Sequence, residues 1–219
     1  MHFAPNPLYF YIIPHILKKD TMKKMLLCGL AIFLLLPGCK KADDGMGQTN
    51  SPGNNAFSFT KYTIRKGQQY SDRSTLKFVE TAQMKFIVKF DSSAIYQSIS
   101  SENQFDINKL YGFSDNNAGH HQYSARFGWR WSGNALRLFA YVYNAGAVLS
   151  RELATVAIGT ETNCSIEVSN SSYLFTINGI TERIPRMATT PRAKGYQLYP
   201  YFGGDEAAPH DITIWIRTL

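Results

Sequence analysis

Apolar and polar residues alternate with a period of two along most of the chain after residue 57. No segment there keeps the 3.6-residue apolar period of a helix. Alternation of this kind is typical of half-buried β-strands, and the Gly, Asn and Ser clusters between the segments mark turns. The pattern predicts thirteen short strands, at 57–65, 75–80, 83–90, 94–99, 109–114, 121–131, 135–143, 151–158, 163–169, 172–178, 180–185, 196–202 and 210–217.

The length of this region fits one domain. Residues 57–219 number about 160, within the usual range for a single domain. So many short strands in one domain predict an all-β fold, either a two-sheet antiparallel β-sandwich or a barrel. The 13 Tyr and 14 Phe of the chain agree with a β-rich structure.

One hairpin can be registered from the sequence. A two-residue turn at Gly133-Asn134 places Trp129 opposite Leu138 and Trp131 opposite Leu136. Every alternate pair is then apolar, whereas a slip of one residue would mix the two faces. We therefore expect Trp129 and Trp131 to face the core.

The other face of that hairpin carries the candidate ligand-binding residues, which are Arg126, Arg130, Arg137, Tyr141 and Tyr143. The register sets Arg130 directly opposite Arg137, and like charges in that position repel. Guanidinium groups bind carboxylates through two hydrogen bonds, and tyrosine rings can stack on sugars. The face is therefore predicted to bind an acidic glycan.

The same face carries a glycine that could admit a ligand, and it also has an interpretation that involves no ligand. Gly128 lacks a side chain, so a shallow opening is expected there for a ligand to approach the backbone. The alternative is a solvated or internally paired face, with a counter-charge supplied by Glu80, Asp106 or Glu152.

A second hairpin is predicted at Asn178-Gly179, a strong type I′ turn sequence. A weaker turn before it, at Asn170-Ser171, places Cys164 opposite Ile177 and Ile166 opposite Phe175. Cys164 is then a small core residue. It is also the one cysteine beyond Cys39, so the domain is expected to fold without an intrachain disulfide.

This hairpin, with an apolar strand at 211–217, resembles the concanavalin A-like lectin/glucanase superfamily. Residues 199–211 also resemble the approach to the last strand in Bacteroidota members of that group. The resemblance implies a jelly roll of two curved antiparallel sheets whose concave face binds sugars.

The catalytic signatures of that superfamily are missing or incomplete. The glucanase string Glu-x-Asp-x-x-Glu is absent, and retaining hydrolysis needs two carboxyls about 5–5.5 Å apart. The alginate-lyase relatives carry an Arg-rich strand, a Gln-x-His turn and a Tyr-rich strand. Here His121-Gln122 has the reverse order, and 199–202 lacks the expected continuation.

These departures favour a carbohydrate-binding protein over an enzyme. One alternative is a polysaccharide lyase or glycoside hydrolase, whose only candidate parts would be Tyr141, Tyr143, His121 and Arg126. Another is an adhesion or scaffold protein of the cell envelope, which would need no groove.

Residues 22–39 resemble the signal of a bacterial lipoprotein. Two lysines precede about a dozen apolar residues, too few for a membrane span, and Leu36-Pro37-Gly38-Cys39 resembles the lipobox. The resemblance implies a signal peptide at 1–38, lipidation of Cys39 and a lipidated flexible tether at 39–56. Translation is expected to begin at Met22, the alternative being an unusually long leader.

The residues after Cys39 give an expected location. Lysine followed by two aspartates at 40–44 resembles the surface-export signal of Bacteroidota lipoproteins. We therefore expect an outer-membrane lipoprotein at the cell surface, held to the membrane through its lipid alone. Two or more acyl chains are enough for stable anchoring.

Charge and metal-ligand patterns limit the other partners. Residues 1–38 hold four lysines and one aspartate, so their removal lowers the net charge from +7 to about +4, which does not indicate nucleic acid. His120 and His121 should point to opposite faces of a strand and so not share a metal. No cofactor is expected, with weak calcium candidates at Asp205, Glu206 and Asp211.

Overall fold

The computed structural model describes residues 58–219, which form twelve β-strands. Two single-turn 3₁₀ segments, Ser92–Ala94 and Asn103–Phe105, lie between β3 and β4. The strands are β1 Thr60–Ile64, β2 Phe78–Thr81, β3 Gln83–Phe90, β4 Asn108–Ser114, β5 Tyr123–Ser132, β6 Ala135–Asn144, β7 Ala147–Val156, β8 Thr162–Val168, β9 Ser172–Ile177, β10 Ile180–Pro185, β11 Ala193–Leu198 and β12 Ile212–Thr218.

The strands make two six-stranded sheets. The first sheet has the order β1-β12-β3-β8-β9-β10, and the second has the order β2-β11-β4-β5-β6-β7. All strand pairings in both sheets are antiparallel. The apolar faces of the two sheets pack against each other around buried aromatic side chains such as Phe86, Phe127 and Phe175. The predicted all-β, two-sheet antiparallel sandwich is confirmed.

The β5–β6 hairpin has the predicted register. Trp129 pairs with Leu138, Trp131 pairs with Leu136, and the turn at Gly133-Asn134 has positive φ at both positions. Trp129 is fully buried, and Trp131 is partly buried against the same core. Because side chains alternate along a strand, this register sends the arginines and tyrosines of the hairpin to the outer face.

The second predicted hairpin is also confirmed. Asn178-Gly179 joins β9 to β10 with positive φ at both residues. The weaker predicted turn at Asn170-Ser171 joins β8 to β9 and pairs Cys164 with Ile177 and Ile166 with Phe175. Cys164 is buried among apolar side chains, and burial raises the pKa of its thiol. The thiol is therefore a packing group with little thiolate character.

Three strand predictions were wrong. Residues 94–99 form no strand, because Asp91 caps a 3₁₀ turn at 92–94 and side chains accept the backbone N–H groups of Ser98 and Ile99. Gln104 accepts the N–H of Ser98, and Ile99 is almost fully exposed. The second error is at β7, which begins at Ala147 rather than 151 because a tight turn follows β6 directly. The third is the strand predicted at 196–202, which lies at Ala193–Leu198 because residues 193–196 pair with β2, whereas Tyr201 makes only isolated bridges.

The N-terminal predictions fall outside the described residues. They are the signal peptide at 1–38, the start at Met22, the tether at 39–56 and the lipid on Cys39. Across residues 58–219, no helix has the length and apolar character needed to cross a bilayer.

Candidate functional site

A groove of about 500 Å³ lies on the outer face of the second sheet. Its floor is made by β4, β5, β6 and β11, and the segments at 70–76, 119–122 and 199–204 form its rim. The polar and aromatic side chains that line it include Lys109, His120, His121, Arg126, Tyr141 and Tyr143.

Arg126 is the most unusual residue of the groove. Only 6% of its surface is exposed, and its Nε atom has no hydrogen-bond partner within residues 58–219. The ion pairs of the described chain do not include it. Burial lowers the pKa of the guanidinium, but arginine still keeps its proton. A buried charge without a partner is costly, so this side chain is suited to an anion from outside the protein.

Lys109 adds a second cation beside Arg126. Its Nζ donates a hydrogen bond to the carbonyl of Gly203 at 2.8 Å and lies 5.2 Å from the centre of the Tyr141 ring. Burial lowers the pKa of Lys109 to about 8, and the charge of Arg126 acts in the same direction. The Arg126 guanidinium lies 5.3 Å from the same ring, so both cations flank Tyr141.

The groove lining contains no aspartate or glutamate among the described residues. Asp106 is an acid close to the groove: its carboxylate lies beside Gly204, and it raises the pKa of Lys109 against the larger effects of burial and Arg126. The electrostatic character of the groove is therefore positive, and carboxylate or sulfate groups are the ligands that it would favour.

Tyrosine rings provide the rest of the groove surface. Tyr141 and Tyr143 pack at 5.9 Å, and burial together with Tyr143 raises the pKa of Tyr141 to about 12. On the rim, Tyr70 contacts Tyr201 edge-to-face at 4.9 Å and leaves 69% of its own surface exposed. Exposed and half-buried rings of this kind are suited to stacking on the apolar faces of sugars.

The two histidines do not point to opposite faces. They lie in a turn between β4 and β5 rather than in a strand, and their rings are 4.2 Å apart. Both line the groove. His120 Nδ1 is 2.8 Å from the Tyr196 hydroxyl, which also accepts the backbone N–H of His120. Burial, Arg126 and His121 lower the pKa of His120 to about 4, so its ring is neutral at neutral pH.

The structure does not bring Arg130 and Arg137 into the groove. Arg130 donates to the carbonyl of Phe105 at 2.7 Å and lies over the Phe139 ring. Arg137 pairs with Glu152 at 2.7 Å, so the repulsion expected from the sequence is relieved by an internal carboxylate. The two arginines share the outer face with Arg126, but they are not part of the same site.

The expected opening above Gly128 is also absent. A side-chain carbon at that position would lie 2.4 Å from the Ile107 side chain, which occupies the space. Gly112 is the glycine that matters for the site. It follows a bulge in β4, and a side chain there would collide with the backbone of Ala125 and Arg126. Because Gly112 has no side chain, β4 and β5 can approach each other closely beneath Arg126.

The three calcium candidates are not gathered at one point. Glu206 accepts hydrogen bonds from the backbone N–H groups of Ile99 and Ser100, and Asp211 pairs with Arg65 at 2.8 Å. No group of three or more His, Cys, Asp or Glu residues within 58–219 is arranged to hold a metal ion.

A buried ion pair holds the turn that carries the histidines. Asp115, at the start of this turn, accepts hydrogen bonds from Arg186 Nε at 2.8 Å and from the Tyr173 hydroxyl at 2.6 Å. The side chains of Asp115 and Arg186 are 0% and 1% exposed. Asp115 also accepts the backbone N–H of Asn116 and of Lys194. The turn is thereby fixed to both sheets of the sandwich.

Comparison with solved structures identifies the fold. The alginate lyase AlyC3 superposes with a TM-score of 0.51 at 9% identity, covering 74% of this chain and 76% of the lyase. The fold is the concanavalin A-like jelly roll. The alginate lyase vAL-1 from Chlorella virus has a TM-score of 0.46 at 10% identity, covering 76% of this chain and 85% of its own. A Bacteroides ovatus endo-glucanase has a TM-score of 0.45 at 12% identity, covering 76% and 83%.

No protein-family model matches the sequence, and no curated protein is similar to it. The predicted concanavalin A-like architecture is therefore confirmed by structure alone. At this level of identity the likeness establishes the fold and leaves the function to be argued from the site.

Sequence reasoning missed several groove residues, namely Lys109, His120, Tyr196, Tyr201 and Tyr70. Lys109 was placed in a strand, but its neighbour in β5 depends on a bulge that the alternation does not reveal. A lysine inside an otherwise apolar strand was the available signal. The close spacing of tyrosines between 196 and 201 was another.

Proposed function

We propose that this protein binds an acidic polysaccharide in the groove, with Arg126 as the receptor for a carboxylate or sulfate group. The observation that supports this most strongly is the buried Arg126 guanidinium, which lacks a carboxylate partner in the described chain. Lys109 supplies a second positive charge for the same anion or for the next one along the chain.

The shape of the groove favours a polymer over a small anion. It is open to solvent and extends past the exposed ring of Tyr70, which is far too exposed to serve the core. Rings at the rim and charges at the floor would contact the sugar faces and the acidic groups of one chain together. A free inorganic anion would use only the floor.

Titration calorimetry of the protein with an oligouronate and with a neutral glucan of equal length tests this function. We expect heat of binding with the oligouronate alone. The affinity should fall with added salt, because partly exposed charges are screened over about 8–10 Å at physiological ionic strength. Equal affinity for the neutral glucan, or the absence of binding to every acidic glycan, would refute the proposal.

Lys109 predicts how this affinity depends on pH. The free protein holds the charge of Lys109 below its pKa of about 8 and loses it above. A bound anion raises that pKa, so the affinity should fall by at most about tenfold per pH unit once the pH exceeds about 8. The measurement is a series of titrations from neutral to alkaline pH.

The Lys109→Arg variant is the control for this prediction. Arginine remains charged across the whole pH range, so the affinity of this variant for the oligouronate should not fall above the pKa of Lys109. The same alkaline decrease in both proteins would show that a different group is titrating.

A second candidate function is cleavage of the same polymer by β-elimination, and the hydrogen-bonded pair of His120 and Tyr196 favours it. With the carboxylate neutralised by Arg126, a base removes the proton from the carbon that carries the carboxylate. The electron pair forms a carbon–carbon double bond, the glycosidic C–O bond breaks, and an acid protonates the leaving oxygen. Unsaturated products that absorb in the ultraviolet would establish cleavage.

The location of the protein is part of the proposal. We place it at the outer surface of the outer membrane, anchored by lipid on Cys39, on the basis of the lipobox-like and surface-export-like segments. Intact mass of the membrane-extracted protein should show a chain that begins at Cys39 and carries two or three acyl chains. A mass that includes any of residues 1–38, or an unmodified Cys39, would contradict this.

A further inference from the structure

The outer face of the first sheet carries a row of basic and aromatic side chains. Lys61 on β1, Trp215 on β12 and Lys89 on β3 are cross-strand neighbours. The ammonium groups of Lys61 and Lys89 lie 5.6 Å and 6.0 Å from the Trp215 ring, which is only partly buried. Neither the groove nor the core uses these three residues.

Further cations extend this row. Arg217, two residues after Trp215, lies 4.7 Å from the Phe59 ring, and Lys85 follows the same face of β3. Glu161 pairs with Arg217 at 3.4 Å, whereas Lys61, Lys85 and Lys89 form no ion pair with any described residue. We call this surface the basic face, defined as Phe59, Lys61, Lys85, Lys89, Trp215 and Arg217.

We propose that the basic face docks onto anionic lipid headgroups, so that the lipid on Cys39 is not the sole contact with the membrane expected from the sequence. Lysines next to a negatively charged bilayer are attracted to it, and a half-exposed tryptophan prefers the boundary between headgroups and acyl chains. The charge of the face is complementary to such a surface, and its aromatic rings lie among the cations.

The position of the predicted lipid supports the same partner. Residues 40–57 connect Cys39 to the domain, and even a fully extended chain of that length spans no more than about 65 Å. The chain enters the domain at β1, which belongs to the basic face. Docking here would turn the groove, on the opposite sheet, away from the membrane and toward extracellular polymers. The inference relies on the proposed lipid for proximity only.

The test uses the full-length acylated protein in vesicles with brominated acyl chains, which quench nearby tryptophan. One set of vesicles is phosphatidylcholine, and the other is an equimolar mixture of phosphatidylcholine and phosphatidylglycerol. A Trp215→Phe variant identifies the Trp215 signal. We expect Trp215 to be quenched in the anionic vesicles and not in the neutral ones, and the quenching to be lost in the Lys61→Glu/Lys89→Glu variant.

The matched control is Lys77→Glu/Arg192→Glu, which has the same net charge change at exposed positions outside the first sheet. It should retain the quenching.

Equal quenching in neutral and anionic vesicles, no effect of the Lys61→Glu/Lys89→Glu change, or a preference of the face for a soluble polyanion would overturn the proposal. Flotation with neutral vesicles tests separately whether Cys39 carries a lipid. If it does not, charge-dependent binding of the protein to anionic vesicles still tests the role of the basic face.

Discussion

Replacement of Arg186 by methionine is expected to lower the free energy of unfolding by about 3–5 kcal/mol, because it leaves the Asp115 carboxylate buried without a cation. The change also removes the hydrogen bonds from Arg186 to the carbonyl of Ala188 and the hydroxyl of Thr190. Urea unfolding of the two proteins at neutral pH measures the difference.

Arg183→Met is the matched control, since Arg183 is exposed and makes one hydrogen bond, to Ser172. It should cost no more than about 1 kcal/mol. A loss for Arg186→Met as small as that of the control would show that the buried pair does not stabilise the sandwich.

The loss of stability in Arg186→Met should be largest at neutral pH and smaller at acidic pH. Burial alone would raise the pKa of Asp115, but hydrogen bonds from Arg186, Tyr173 and backbone N–H groups outweigh it and hold this pKa below its usual value. The stability that Asp115 contributes is therefore present above its unfolded pKa of about 3.9 and is lost as the pH falls through the folded pKa. The difference in the free energy of unfolding between the wild type and Arg186→Met should therefore become smaller at acidic pH.

Arg126→Met should abolish most of the affinity for an acidic glycan. Loss of one partner of a buried, hydrogen-bonded charge pair costs about 2–5 kcal/mol, which corresponds to roughly 30-fold to several thousandfold in the dissociation constant. The free protein should not lose stability, because the variant removes a buried charge that forms no ion pair within residues 58–219. Calorimetric titration and urea unfolding measure the two effects.

Arg137→Met provides the comparison on the same face of the sheet. Arg137 is partly exposed, paired with Glu152 and outside the groove, so its loss should leave the affinity unchanged and cost about 0–1 kcal/mol of stability. If the two variants lowered the affinity equally, the site would extend beyond the groove described above. A strongly destabilised Arg126→Met would instead give Arg126 a structural role.

The parts of the fold that local sequence determines were predicted correctly. The turns at Gly133-Asn134 and Asn170-Ser171 set the registers of their hairpins, and the burial of Trp129 and Cys164 followed from those registers. In each case, a two-residue turn and a period of two leave one arrangement that buries all the apolar side chains.

The site depends on contacts that no local pattern contains. Lys109 and Arg126 reach the same tyrosine ring because β4 contains a bulge and pairs with β5 across a turn. His120 lies in the groove because Arg186, 71 residues after Asp115, holds the turn that carries it. The pairing of Arg137 with Glu152 required the neighbour of β6 to be known. The sequence could indicate a cationic face, but only the three-dimensional arrangement shows which cation forms no ion pair with the described residues.

A crystal structure of the protein with a bound oligouronate tests the central claim most directly. We expect an acidic group of the sugar within hydrogen-bonding distance of the Arg126 guanidinium, with Lys109 close by and a sugar ring against Tyr70 or Tyr141. An oligosaccharide bound elsewhere on the domain, or bound in the groove with its acidic groups directed away from Arg126, would contradict it.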